Sequence, residues 1–190
     1  MRAGLVLFII YLCFGQTAYA EVVFSANYGL NQFLTKELNN KSGKAAGTSS
    51  TAKLGLLNAG TEIGIYNTNI NSSFTLKHDG ENSDASYKIN SVGAYIAIYK
   101  KNAFFEFGYG KASISESLST NLTGSSLSAL KSIYNLNTDE TFASTEARLL
   151  GGIKLFSLSL FTFVVYIQKI KMLETSHDET DLGLELKLNF

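Results

Sequence analysis

The chain of 190 residues, 45% hydrophobic and 17% charged, carries a formal net charge of zero; it is the size of one domain, and no basic arm or patch asks for nucleic acid. It has no Pro and no Trp but 16 Gly, 10 Tyr and 13 Phe, which favours hydrogen-bonded ladders over Pro-punctuated loops.

Met1-Arg2, the apolar run Leu5 to Phe14 and the Ala18-Tyr19-Ala20 motif before Glu21 follow the order of a secretory signal peptide: basic start, apolar core, small-x-small cleavage site. The apolar run is about half the ~20 residues that a membrane-spanning helix needs. Residues 1–20 are therefore expected to be removed, leaving 21–190 as the mature domain. Cys13, the single Cys, leaves with them, so the mature chain has no disulfide or thiolate, and no metal or cofactor is implied.

Beyond Glu21 the hydrophobic period is two, the period of strands. Val22, Phe24, Ala26, Tyr28 and Leu30 share one face of a first strand. A polar stretch, Glu37 to Ser50, reads as a long loop. In the second strand Ala52, Leu54 and Leu56 alternate with Lys53 and Gly55, and the run stops at the turn signal Asn58-Ala59-Gly60. The third strand, Thr61 to Lys77, changes parity near Ile65-Tyr66, where a β-bulge is expected. After the polar loop His78 to Asp84 come a fourth strand, Ser86 to Tyr99, and the turn Lys100-Lys101-Asn102. The fifth strand sets Phe105, Phe107 and Tyr109 against Glu106, Gly108 and Gly110. A long Ser/Thr/Leu/Asn loop runs from roughly Ser117 to Asp139, and within it Leu127, Leu130, Lys131 and Tyr134 fall at helical spacing. They fit either a short helix capping the structure or a flexible surface loop. The sixth strand, Thr141 to Phe156, alternates Ala147, Leu149, Gly151 and Ile153 with Glu146, Arg148, Leu150 and Lys154. A turn near Ser157 leads to the seventh, Leu158 to Met172. The acidic loop Glu174 to Asp181 then delivers Leu182-Gly-Leu-Glu-Leu-Lys-Leu-Asn-Phe190.

Eight or so strands with long and short connections in alternation are the pattern of an all-β, antiparallel, up-and-down transmembrane barrel. Hydrocarbon cannot satisfy an open sheet edge, so the last strand must close on the first. A soluble ligand-binding barrel also alternates, but its apolar residues point inward. Here Lys53, Glu106, Glu146, Arg148, Lys154, Glu185 and Lys187 fall opposite the larger apolar residues, which places them in a polar lumen and the apolar face in lipid. Glu106 and Lys154 are expected within salt-bridge reach. Phe24, Tyr99, Phe104, Phe105, Phe156, Phe161 and Phe190 crowd the short-turn ends, where an aromatic girdle belongs. The runs 92–98 and 161–167 are apolar on both parities, so the facing of the fourth and seventh strands stays open.

The leader, the strand count and the ending Leu182, Leu184, Leu186, Leu188, Phe190 resemble the small outer-membrane β-barrel superfamily, of the OmpX and OmpA-transmembrane-domain kind. The resemblance covers the whole mature chain. It implies a bacterial outer-membrane location, contact with outer-membrane lipid and lipopolysaccharide, and a C-terminal segment read by the barrel-assembly machinery. The fold hosts many activities, so it does not assign one.

For about eight strands the interior is just wide enough for side chains to fill. The expected function is thus a non-enzymatic envelope or surface-interaction barrel with a plugged interior and loops open to a surface partner. A narrow channel for ions or small solutes is one alternative. A lipid A-modifying acyl hydrolase or transferase is another; it would draw on His177 beside Ser176 and Glu179, although adjacency in sequence is a poor substitute for triad geometry. The acidic stretches around His78 and His177 lack the ligand order of a calcium loop and read as solvated loops.

Overall fold

A computed structural model of the chain describes residues 20–33, 45–78, 80–134, 136–138, 140–158, 160–175 and 178–190. The leader up to Tyr19, including Ala18, lies outside these residues, as do Ser176, His177 and most of the first long loop. Eight antiparallel strands close into a barrel in sequence order: β1 (Glu21–Phe33), β2 (Ala45–Asn58), β3 (Thr61–His78), β4 (Glu81–Lys100), β5 (Ala103–Ser119), β6 (Phe142–Leu158), β7 (Phe161–Met172) and β8 (Asp178–Asn189). Among the described residues one helix, α1 (Gly124–Ile133), lies between β5 and β6.

The barrel closes where the alternation of the first and last strands said it must. Phe24 pairs with Leu188 and Leu30 with Leu182, and Val22 and Phe190 exchange backbone hydrogen bonds of 3.1 and 2.9 Å. Pairing followed from Asn71 through Thr48, Leu30, Leu182, Ile167, Gly151, Phe105 and Ile98 returns to β3 at Thr61, a stagger of ten residues (71 to 61). With ordinary strand spacing and rise, that stagger tilts the strands by roughly 40°.

The short-turn rim is built from tight hairpins. Ala59 and Gly60 have φ of 49° and 81°, the left-handed pair that matches strand twist in a two-residue turn. At the other rim the expected loop His78 to Asp84 is replaced by strand: β3 and β4 pair up to His78 and Glu81, and Gly80 turns the chain at φ 80°. Its Ser, Thr and Asn residues alternate with Phe74, Leu76, Ala85 and Tyr87, which are buried, so the hairpin is amphipathic to its tip. The alternation of long and short connections is broken here. β2 likewise begins at Ala45, inside the stretch expected as loop.

No bulge interrupts β3, which pairs residue for residue with both neighbours past Ile65-Tyr66. Odd residues point outward and even ones inward along the strand. What changes is which face is apolar. Towards the short turns the outward residues are apolar: Ile65 is 60% exposed, and Leu54, Val92, Phe105 and Tyr109 are exposed on the same exterior. Above that level the outward positions become Asn67, Asn69, Asn71, Ser73 and Thr75, while Ile70, Phe74 and Leu76 turn inside. The register shift that does occur is on β6, between Lys154 and Phe156.

The long-loop half thus has an apolar core. Ile70, Phe74, Leu76, Tyr87, Ile89, Ile114, Ile170 and Met172 form one cluster with Leu130, Tyr134 and Leu136 of the α1 segment. Leu130 is fully buried and Tyr134 nearly so, whereas Ser125, Ser128 and Ser132 face solvent. The helical spacing therefore makes a cap, held by apolar burial worth about 1.5–3 kcal/mol per large side chain.

Candidate functional site in the barrel interior

Strand parity delivers charged side chains to the interior of the short-turn half, and the inward glycines make room for them. A Cβ on Gly108 would lie 2.6 Å from Cγ of Arg148, and one on Gly110 would lie 2.6 Å from the Tyr66 hydroxyl. Lys53, Glu106, Glu146, Arg148, Glu185 and Lys187 are all buried.

They form two linked tiers. In the lower tier Lys187 lies 2.9 Å from Glu62 and 3.5 Å from Glu185, and Lys53 lies 2.6 Å from Glu106 and 3.4 Å from Glu185. Tyr99 donates to Glu62 at 2.6 Å, and Tyr95 donates to the same carboxylate. In the upper tier Arg148 grips Glu146 through Nε at 2.8 Å and Nη2 at 2.7 Å. Arg148 also donates to Thr68 at 2.7 Å, and its guanidinium lies 3.8 Å from the centre of the Tyr66 ring. Tyr66 donates to Glu146 at 2.9 Å.

Lys154 does not take part. It is exposed at the short-turn end of β6, next to the register shift. Glu106 pairs in register with Leu150, four residues up the strand from Lys154, and its ion-pair partner is Lys53. The expected Glu106–Lys154 pair is thereby corrected: both residues were assigned to one height without the barrel's stagger. Two residues of the expected girdle are corrected as well. Phe104 is buried and stacks on Tyr99 at 5.2 Å inside the barrel. Phe24, Phe105, Phe156, Phe161 and Phe190 are exposed on the exterior. The open strands resolve: Val92, Ala94 and Ile98 of β4 and Phe161 and Ile167 of β7 are exposed, with Tyr95, Ala97, Val164 and Tyr166 buried.

Glu62, Tyr66, Tyr95, Gln168, Glu179 and Asp181 are interior residues to which the sequence pattern gave no lumen role, and Tyr99, expected in the girdle, bonds to Glu62 among them. Glu62 falls within the expected third strand, two residues past the turn signal Asn58-Ala59-Gly60, where no facing was read for it. Glu179 and Asp181 share the parity of Glu185 and Lys187 but lie where an acidic loop was expected. Around them the carboxylates Glu62, Glu106, Glu146, Glu179, Asp181 and Glu185 outnumber the cations Lys53, Arg148 and Lys187. Both Glu179 oxygens lack a hydrogen-bond partner among the described residues. Glu179, named beside His177 in the hydrolase alternative, is buried; His177 and Ser176 lie outside the described residues. Leu182, Leu184 and Phe190 stand on the exterior, and Glu185 and Lys187 fill the inside.

At the long-loop rim Glu174, exposed, accepts from Ser144 Oγ at 2.8 Å, from Thr145 Oγ1 at 2.6 Å and from the Thr145 backbone N–H. These bonds, led by the backbone N–H, hold its carboxyl at about 2.

An eight-stranded barrel with an apolar exterior band, no free edge and ion pairs sealed inside is built as a transmembrane β-barrel. No protein-family profile matches the sequence, and no curated protein matches it. Solved structures do match. The chain is similar to Neisserial surface protein A, with a TM-score of 0.54 at 13% identity, over 91% of this chain and 100% of that one. It is equally similar to Ail, the attachment invasion locus protein of Yersinia pestis, with a TM-score of 0.54 at 11% identity and the same coverage. A second structure of Ail, in complex with the heparin analogue sucrose octasulfate, gives 0.50 at 13% identity. The fold is that of the small eight-stranded outer-membrane β-barrels.

Proposed function

We propose that the protein is a non-enzymatic, non-conducting barrel of the bacterial outer membrane that stabilises the envelope or presents its long-loop half to a surface partner. In this reading the leader is cleaved after Ala20, the long-loop rim faces outward, and the terminal strand ending in Phe190 is read by the barrel-assembly machinery. What supports it is the filling of the interior at two levels. Ion pairs and tyrosines fill the short-turn half, and above them the apolar cluster from Ile70 to Met172 lies under α1. An ion crossing this interior would have to break buried pairs and then enter an apolar core, and each step is costly.

Conductance tests the reading against the channel alternative. The full mature chain reconstituted in a planar bilayer is expected to give no step conductance above the lipid baseline. Reproducible steps that persist after α1 is cross-linked to the barrel would replace it with the channel.

A further inference from the structure

The β2–β3 and β4–β5 turns are flush with the strands beside them; the β6–β7 turn is not. Leu57 is covered by Glu21 and Thr61 by Ile98, and the Tyr99 N–H donates to the Gly60 carbonyl at 2.8 Å. On its other side β5 begins opposite Ile153, and the last rung is the Lys154 N–H donating to the Asn102 carbonyl at 2.7 Å. β6 nevertheless runs on to Leu158, paired with β7. Residues 155–158 thus project below the closed barrel with β7 on one side and, among the described residues, no paired strand on the other. The projection is held in place: Phe156 stacks on Phe163 at 4.5 Å, Ser157 Oγ lies 2.9 Å from Thr162 Oγ1, and β7 is paired to β8 as far as Phe161.

Leu155, Phe156, Leu158, Leu160 and Phe161 on this tip are all exposed. Lipid can cover such side chains but cannot satisfy the backbone groups of an unpaired edge. Water satisfies the backbone but not the side chains. A strand laid along the edge does both, as in recognition by strand addition.

Direction and charge say which strand fits. β6 descends towards the short turns, so a strand added antiparallel to it ascends, with its C-terminal end leading. The β4–β5 turn stands in its path, because Asn102 already occupies the next rung. Lys100, Lys101 and Lys154 are exposed around that point, and neither 96–105 nor 149–168 contains an Asp or Glu. A chain that must stop against ammonium groups is suited by its own terminal carboxylate, which takes charge-assisted hydrogen bonds.

We propose that the edge of β6 at residues 155–158 is a docking site for the C-terminal end of an extended, apolar segment of a partner protein. The backbone of residues 155–158 continues the sheet onto that segment, and Lys101 and Lys154 hold its carboxylate. In the outer-membrane reading above this rim faces the periplasm and so does the partner; the docking chemistry is the same whichever side the rim faces.

The test uses the full mature chain folded in lipid nanodiscs, which leave both rims accessible, with folding confirmed by heat-modifiable electrophoretic mobility. The probe is a fluorescein-labelled octapeptide that alternates Thr and Val and ends in a free Val carboxylate, followed by fluorescence anisotropy. Its C-terminal amide is expected to bind about tenfold more weakly, since charge-assisted hydrogen bonds are lost. Of two forms N-methylated along one edge or the other, one should keep binding and the other lose it, because only one edge faces β6. K101Q/K154Q should bind the free acid as weakly as wild type binds the amide, with its affinity for the amide unchanged; K169Q/K171Q, at the opposite rim, should match wild type throughout. Equal affinity for acid and amide, equal behaviour of the two methylated forms, undiminished binding by K101Q/K154Q, or no saturable binding overturns the docking site and leaves the barrel reading intact. A chain that never shows folded mobility overturns the membrane-barrel reading and the site with it.

Discussion

The two halves of the barrel are built from the same strands with opposite logic. Near the short turns β3 buries Glu62 and Tyr66 and exposes Ile65; a few residues further on it buries Ile70, Phe74 and Leu76 and exposes Asn69 and Asn71. The backbone does not notice the change, because parity and register continue unbroken. Alternation therefore says which residues share a face, and the surrounding solvent says which face is inside. Hydrocarbon rewards apolar side chains outside and tolerates a satisfied polar interior; water rewards the reverse. The lower half is a membrane protein and the upper half is packed like a soluble one.

The sharpest way to break this comparison is to remove the central cation of the polar half. Arg148 is fully buried and holds Glu146, Thr68 and the Tyr66 ring. Arg148→Ala strands Glu146 beside Glu179 and should lower the unfolding free energy by about 3–5 kcal/mol. Adding Glu146→Gln to it should recover part of the loss. Denaturant titration of the lipid-folded barrel, followed by tryptophan-free near-ultraviolet signals or gel mobility, reads both variants. A loss no greater than that of an exposed control such as Lys169→Ala would mean that the interior is wet and that the seal is not one of paired charges.

The corresponding change in the apolar half is Leu130→Ala, which opens a cavity under α1. Core truncations of this type cost about 2–5 kcal/mol, but here the cost should fall on α1 more than on the barrel. Limited proteolysis should cut residues 120–134 faster while the folded mobility of the barrel persists. Bilayer conductance should stay at baseline, because the lower seal is independent of the cap. A barrel that unfolds together with α1 would show that the two halves are one cooperative unit.

This division also explains what could be read from the residues alone. Barrel closure by Leu182 to Phe190 on Val22 to Leu30 was legible, since a strict period of two and the requirement for no free edge leave little choice. So was the burial of Lys53, Glu106, Glu146, Arg148, Glu185 and Lys187, each a charge opposite an apolar face. The β3–β4 hairpin was not, because its Ser, Thr and Asn residues look like loop until Phe74 and Tyr87 are known to stack inside at 5.2 Å. The inversion on β3 was visible as a change of parity but was assigned to a bulge, because one solvent was assumed for the whole strand. Glu106 was given the wrong partner because cross-barrel contacts depend on a ten-residue stagger that no local pattern carries.

The smallest effect belongs to the outer rim, where the chain between β7 and β8 is clasped to β6 by one exposed carboxylate. Glu174 accepts from the Thr145 backbone N–H, from Thr145 Oγ1 and from Ser144 Oγ, and these bonds lower its carboxyl from 4.5 to about 2. A lowered folded-state value means that the clasp contributes fully above the unfolded value near 4.5 and is lost as pH falls through about 2. Amide exchange at Thr145, corrected for intrinsic rate, should therefore accelerate between these limits, while amides of β4 and β5 stay protected. Glu174→Gln should show the faster exchange already at neutral pH, with no further response to acid. The interior tiers do not need to titrate for this to happen, so a simultaneous loss of barrel protection would locate the acid-sensitive element inside the polar half instead of at its rim.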